Sequence, residues 1–228
     1  PIQDITFCIK TIHRPWACHR LVQSLRNEFG EPKIVVVDDG LPEHWFSRKY
    51  LETAKHCKVI DLEQHDVGVG IGRNTAIDAA ETEFIFLLDD DQIVTPDLHL
   101  DRVYQRFMEY DLDILAVRQG AGGRPMLFSP LMNGSRIWMH RGEHKRIGET
   151  SWCDMVSNAF LARRDTIARV RWDDEIRIIS SAPKSPDYAF PDLARFPPRQ
   201  TPRSPAIHVS QHPAPAHVPA AASHPRPG

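Results

Sequence analysis

The chain of 228 residues is 41% hydrophobic and carries a net charge of −2, which is apolar material enough for one sizeable core. That near-neutral balance excludes the basic footprint of a nucleic-acid binder, and no apolar stretch reaches the length of a membrane span. The four cysteines, Cys8, Cys18, Cys57 and Cys153, show no C-x-x-C spacing, which argues against a zinc site and for free thiols in a reducing compartment.

Ile5 to Ile9 reads as a first strand. From Trp16 to Phe29 the residues Leu21, Val22, Leu25 and Phe29 recur at helical spacing, with Gly30 as a C-terminal stop. Lys33 to Val37 reads as a buried strand that ends in Asp38-Asp39-Gly40, and Cys57 to Leu62 as a third, short one. The glycine-rich turn Gly68-Val69-Gly70-Ile71-Gly72 follows, and then a helix from Arg73 to about Glu81. Phe84-Ile85-Phe86-Leu87-Leu88 is a solid apolar run, the pattern of a strand covered on both faces. It delivers three consecutive carboxylates, Asp89, Asp90 and Asp91. Pro96 to Tyr110 reads as helix and Ile114 to Val117 as strand. This order predicts an α/β fold with a mostly parallel central sheet flanked by helices.

Composition changes abruptly near Ser180. Net charge is −5 up to Ile179 and +3 beyond it, and twelve of the nineteen prolines fall in the last 49 residues. Proline at that density removes backbone donors and blocks helix and central strand alike. The sequence therefore divides into a domain over residues 1–179 and a proline-rich tail over 180–228, expected to be disordered.

Two strands end in acids, and in open α/β sheets ligands bind at that edge. Clustered carboxylates repel one another unless a cation sits among them, and an all-oxygen set suits Mg²⁺ or Mn²⁺. Acids are also ordinary turn residues, so neither group is decisive alone. Arg73 is expected at a helix N-terminus, where unpaired N–H groups and the helix dipole favour an anion and a guanidinium can grip phosphate. A dinucleotide-binding reading of the glycines fits less well. They run G-x-G-x-G rather than G-x-G-x-x-G, two β-units precede them, and a ribose needs one acid, not three.

Taken together, Thr11, Val35-Val36-Val37-Asp38-Asp39, Gly70-Ile71-Gly72-Arg73-Asn74, Leu88-Asp89-Asp90-Asp91 and the stretch from Cys153-Asp154 to Arg163 resemble a family 2 glycosyltransferase. Within that family the sequence is most similar to the β-1,4-N-acetylgalactosaminyltransferase group, over residues 3–179. The resemblance implies the GT-A, Rossmann-like fold, a UDP-linked sugar donor, a divalent cofactor (Mn²⁺ or Mg²⁺) and a glycan or glycolipid acceptor. By motif position, Asp39 contacts the nucleotide base, and Thr11, Asp38, Gly72, Arg73 and Asn74 belong to the nucleotide-sugar site. Asp89 and Asp90 meet the ribose or sugar, and Asp89 and Asp91 hold the metal. Transfer would be inverting, which calls for a general base on the far side of the sugar.

The base is where the chain departs from the group. After Trp172-Asp173-Asp174-Glu175 the group continues into an acidic, histidine-bearing segment, whereas here Ile178-Ile179 runs into Ser180-Ser181-Ala182-Pro183. A shifted reading frame or a truncated gene produces so abrupt a change. Asp154 is the remaining candidate for the base or an acceptor contact; the alternative is a carboxylate that only orders the loop before a strand over Val156–Ala162. Two further readings stay open: a nucleotide-sugar-binding remnant without its base, and a nucleotidyltransferase. The latter usually carries a glycine-rich basic loop after its first strand, where this chain has Lys10-Thr11-Ile12-His13-Arg14. Because the sequence starts at Pro1, the compartment also stays open: cytoplasmic or membrane-peripheral, or the Golgi lumen if an anchor preceded it.

Overall fold

The structure, a computed structural model, describes residues 1–117, 129–133, 136–140, 146–147, 150–151 and 158–174. The tail over 180–228 and Asp154 lie outside the described residues.

Strand β1 (Ile5–Thr11) leads into helix α1 (Pro15–Phe29), whose first residue is a proline, suited to a position that needs no backbone donor. Strand β2 (Lys33–Asp38), the one-turn helices α2 (Phe46–Lys49) and α3 (Leu51–Ala54) and strand β3 (Lys58–Asp61) come next. Helix α4 (Val69–Ala79), strand β4 (Phe84–Asp89), helix α5 (Leu100–Glu109) and strand β5 (Ile114–Ala116) complete the first half. Two short hairpins follow, β6 (Ser129–Asn133) with β7 (Arg136–His140), and β8 (Arg146–Ile147) with β9 (Thr150–Ser151). Strand β10 (Ala159–Arg163) and helix α6 (Arg164–Val170) end the described chain apart from residues 171–174.

The six-stranded sheet has the order β3-β2-β1-β4-β10-β5. Its first four strands are parallel, and β10 runs antiparallel between β4 and β5. Strand alternation splits the core in two. Ile5, Phe7, Ile9, Phe84, Phe86 and Leu88 face α1 and α5, while Cys8, Ile85 and Leu87 face α4 and α6. Burial on both faces is why β2 and β4 are unbroken apolar runs.

Register fixes the site. Thr11 stands opposite Asp38, and Lys10 opposite Asp89, so β2, β1 and β4 end level with one another. With strands about 4.8 Å apart, the acids of β2 and β4 lie about 10 Å from each other across β1.

Two expectations are corrected. Helix α4 begins at Val69, not Arg73, so the glycines lie inside its first turns and Arg73 is its fifth residue. The argument from a helix N-terminus therefore does not apply to Arg73. Helix-interior glycine costs about 1 kcal/mol relative to alanine, and close packing explains its presence: a Cβ on Gly70 would stand 2.2 Å from the Asp173 carbonyl oxygen. The helix expected over Pro96 to Tyr110 begins only at Leu100, because Thr95–His99 is folded into tight turns in which Leu98 donates to the Thr95 carbonyl and His99 to that of Asp97.

Candidate functional site

The paired acids of β2 have separate tasks. Asp38 is turned into the protein, its Oδ1 accepting the Gly40 N–H at 2.9 Å and its Oδ2 the Phe46 N–H at 2.8 Å. Burial pushes its carboxyl up, and the two amides oppose that shift. Asp38 thus shapes the loop from β2 to α2. Asp39 is fully buried, with the Lys10 ammonium 2.7 Å from its Oδ1. The ammonium compensates the charge at Oδ1, and Oδ2 has no hydrogen-bond partner among the described residues. Lys10 reaches Asp39 by crossing Gly72, where a Cβ would stand 2.5 Å from its Cγ.

Beside Gly40 the loops bring together three histidines. His13 packs on Gly40, its Nε2 lies 2.7 Å from His65 Nε2, and its ring meets His44 edge-on at 5.6 Å.

At the end of β4 the three acids alternate in direction. Asp90 points inward: its Oδ2 accepts the Thr11 hydroxyl at 2.7 Å and its Oδ1 lies 2.5 Å from an Arg14 amino group. Burial pushes its carboxyl up to about 6 despite those two partners. Asp89 and Asp91 point outward, with side chains 39% and 52% exposed. Asp89 accepts from Arg73 at 3.0 Å, while Arg14 spans Asp90 and Asp91, reaching the latter at 3.1 Å. The Asp89 N–H donates to Gln92 Oε1 at 3.0 Å, which braces the turn.

Asn74 is buried in α4 and occupied by chain from far along the sequence. Its amide nitrogen donates to the Trp172 carbonyl at 2.9 Å and to Asp174 Oδ1 at 2.5 Å, and its oxygen accepts the Trp172 N–H at 3.0 Å. The structure therefore brings Thr11, Asp39, Gly72, Arg73, Asp89, Asp90 and Asp91 to one edge. It turns Asp38 and Asn74 to the support of neighbouring backbone. Lys10, Arg14 and Gln92 belong to this edge and have no place in the motif reading, while Trp172, which the sequence offers as core or pocket wall, stands beside Asn74 and Arg73. Arg14 had a readable signal, a cation set just before the proline that opens α1.

Asp89 and Asp91 fit a hard divalent ion. Mg²⁺-type sites use one or two carboxylates and complete the shell with water and substrate phosphates. Among the described residues no group of three or more His, Cys, Asp or Glu side chains could hold a metal, so Asp89 and Asp91 would supply at most two protein carboxylates. The described cysteines do not compete as ligands. Cys8, Cys18 and Cys57 are free, and burial pushes Cys8 and Cys57 up to about 12.

Residues 6–170 match the family described as glycosyl transferase family 2, and the chain belongs to that family. It is 26% identical over 185 residues to human β-1,4 N-acetylgalactosaminyltransferase 1, covering 75% of this chain and 33% of the relative. Identity to mouse β-1,4 N-acetylgalactosaminyltransferase 2 is 24% over 176 residues, covering 74% and 33%. The chain thus spans about one third of the length of these curated relatives. Among solved structures, S. aureus TarS 1–349 in complex with UDP aligns with a TM-score of 0.54 at 20% identity, covering 77% of this chain and 52% of that one. The mannosyltransferase PcManGT from Pyrobaculum calidifontis, in complex with GDP-Man and Mn²⁺, aligns with a TM-score of 0.52 at 12% identity, covering 76% and 48%. These likenesses establish the GT-A fold.

Proposed function

We propose that this chain is the donor-binding domain of a metal-dependent glycosyltransferase that moves a sugar from a UDP-linked donor to an acceptor hydroxyl with inversion. The observation that carries this reading is Asp39: a fully buried carboxylate, ion-paired with Lys10 through Oδ1 and with no hydrogen-bond donor at Oδ2 among the described residues, set level with outward-facing Asp89 and Asp91. A buried acceptor without a donor is costly, and an imide N–H such as that of uracil supplies one. The base would then lie against Asp39 and the diphosphate would extend across β1 toward β4. UDP is bound by the TarS structure to which the fold is similar.

Asp89 and Asp91 would hold Mn²⁺ or Mg²⁺, which when bound neutralises the charge that grows on the leaving diphosphate. Arg73 and Arg14, both at this edge, add fixed positive charge where that charge develops, and so favour the transition state over the ground state. Asp89 orients Arg73, and Asp90 holds Arg14 from below. The acceptor hydroxyl, on a glycan or glycolipid, must give up its proton to a base on the far side of the sugar. Asp154 is proposed for that role.

A second reading, a nucleotide-sugar-binding domain with impaired transfer, is favoured by the proline-rich sequence that begins at Ser180 where the related group has an acidic segment. Both readings share the donor site, and calorimetry with UDP tests it. Binding should require Mn²⁺ or Mg²⁺ and be abolished in Asp91→Ala. Undiminished binding in EDTA would remove the metal assignment. Transfer assays separate the two readings, because loss of base assistance typically costs about 10²–10⁴ in rate.

A further inference from the structure

We propose that Trp172 is a positioning residue of the donor site, holding the Arg73 guanidinium against Asp89; this rests on the donor-site reading above. The guanidinium carbon of Arg73 stands 5.5 Å from the centroid of the Trp172 ring, and an amino group of the same guanidinium lies 3.0 Å from Asp89 Oδ1. The cation is thus fixed on two sides, by an aromatic face and by a carboxylate. A guanidinium has five N–H donors in a rigid fork, and fixing its plane leaves further donors aimed for an anion. The ion pair is part-buried, with Arg73 11% and Asp89 39% exposed, and it fixes one amino group only; the ring restrains the face of the guanidinium.

The chain around Trp172 is built to present that ring. Asn74 takes both polar groups of the Trp172 backbone, at 3.0 and 2.9 Å, and also binds Asp174 at 2.5 Å. Gly70 admits the Asp173 carbonyl into a space that any Cβ would fill. Arg171 makes two bonds to Asp78 on the same helix, at 2.9 and 3.0 Å. Four consecutive residues, 171–174, are therefore fastened to α4, the helix that carries Arg73. The hydrogen bonds of Asn74 to this segment span about a hundred positions of sequence, so α4 and the end of α6 act as one unit.

A packing role must be separated from this, because Trp172 also borders the apolar cluster that includes Ile77 and Ile167. Packing asks only for apolar volume. Positioning asks for an aromatic face, since the attraction arises from the ring quadrupole. Trp172→Phe and Trp172→Leu divide the two roles. The Leu variant should bind UDP about fivefold more weakly in Mn²⁺, the Phe variant within about twofold of the parent, with similar melting temperatures for both. In an Arg73→Met background the Leu substitution should cause no further loss. Equal UDP affinity in the Leu variant, or a full additional loss in the Arg73→Met background, overturns the proposal.

A readout without nucleotide keeps the two ideas apart. The Arg73 side-chain resonances should show an aromatic ring-current shift in the parent and the Phe variant, and lose it in the Leu variant. A parent protein that fails to bind UDP sinks the donor-site reading. The resonances then decide whether the clamp on Arg73 exists: a shift kept in the Leu variant, or missing in the parent, overturns it.

Discussion

The hydroxyl of Thr11 donates to the inward-facing oxygen of Asp90 at 2.7 Å, joining the carboxyl ends of two adjacent parallel strands. The buried acid, held by Thr11 and Arg14, stands between the two exposed ones in the chain.

This bond has a pH signature. Asp90 sits at about 6 in the folded chain against an ordinary value of 3.8, chiefly through burial. Between those values the folded state holds more proton than the unfolded one, so stability falls as pH rises from about 4 to 6 and is level above. The window is worth on the order of 2–3 kcal/mol. Asp90→Asn keeps an acceptor for Thr11 and should flatten it, as urea unfolding in EDTA at pH 4.5, 5.5 and 7 would register. An unchanged slope in the variant would assign the titration to another group.

Arg14 competes for Asp91 with any cation. Arg14→Ala should tighten Mn²⁺ binding about three- to tenfold in the absence of nucleotide, measured by electron paramagnetic resonance titration. It should also lower stability by about 1–2 kcal/mol, because Asp90 loses its counter-ion while Arg14 is itself part-exposed. Weaker Mn²⁺ binding in the variant would show Arg14 to be a partner of the ion, not a rival.

Asp39→Asn should cost both stability and binding. It leaves the largely buried Lys10 ammonium without its counter-ion at 2.7 Å, so stability should fall by about 1–3 kcal/mol. UDP affinity should fall tenfold or more, because a charged acceptor for the base has gone. Calorimetry and thermal melts on one preparation provide the comparison. Lower stability with intact UDP affinity would reveal a purely structural carboxylate.

The two helix glycines should respond differently to alanine, although the helix itself would gain about 1 kcal/mol from either change. At Gly70 the new methyl meets backbone, the Asp173 carbonyl oxygen at 2.2 Å, and must dislodge residues 172–174. At Gly72 it meets a side chain, Lys10 Cγ at 2.5 Å. Gly70→Ala should be destabilising by about 1–3 kcal/mol, typical of overpacking, and Gly72→Ala mainly a binding variant, through the displaced Lys10. Equal melting temperatures for both would contradict this contrast.

The strands and their acids were legible because parallel strands buried on both faces leave an unmistakable apolar run, as in Phe84–Leu88, with polar residues where the run stops. What failed was local inference from residues with distant partners. Gly68–Gly72 resembled a turn because nothing nearby reveals that Asp173 and Lys10 press on Gly70 and Gly72. Asn74 was read by its place in a motif, yet its partners lie at Trp172 and Asp174. The placement of β10 between β4 and β5 was likewise invisible, since pairing order leaves no trace in periodicity. Asp38 and Asp39 were indistinguishable as letters; only the loop reaching Phe46 shows which of them the backbone has claimed.

The position of β10 also governs the order of assembly. Among the described residues strand β5 is hydrogen-bonded in the sheet only to β10, so it has no place there until a ribosome has delivered residues 159–163. Until then β4 presents an open, strongly apolar edge from Phe84 to Leu88, the kind of template on which nascent chains pair wrongly with one another. Fragments that stop before residue 158 should therefore precipitate on expression, and those that include β10 should not.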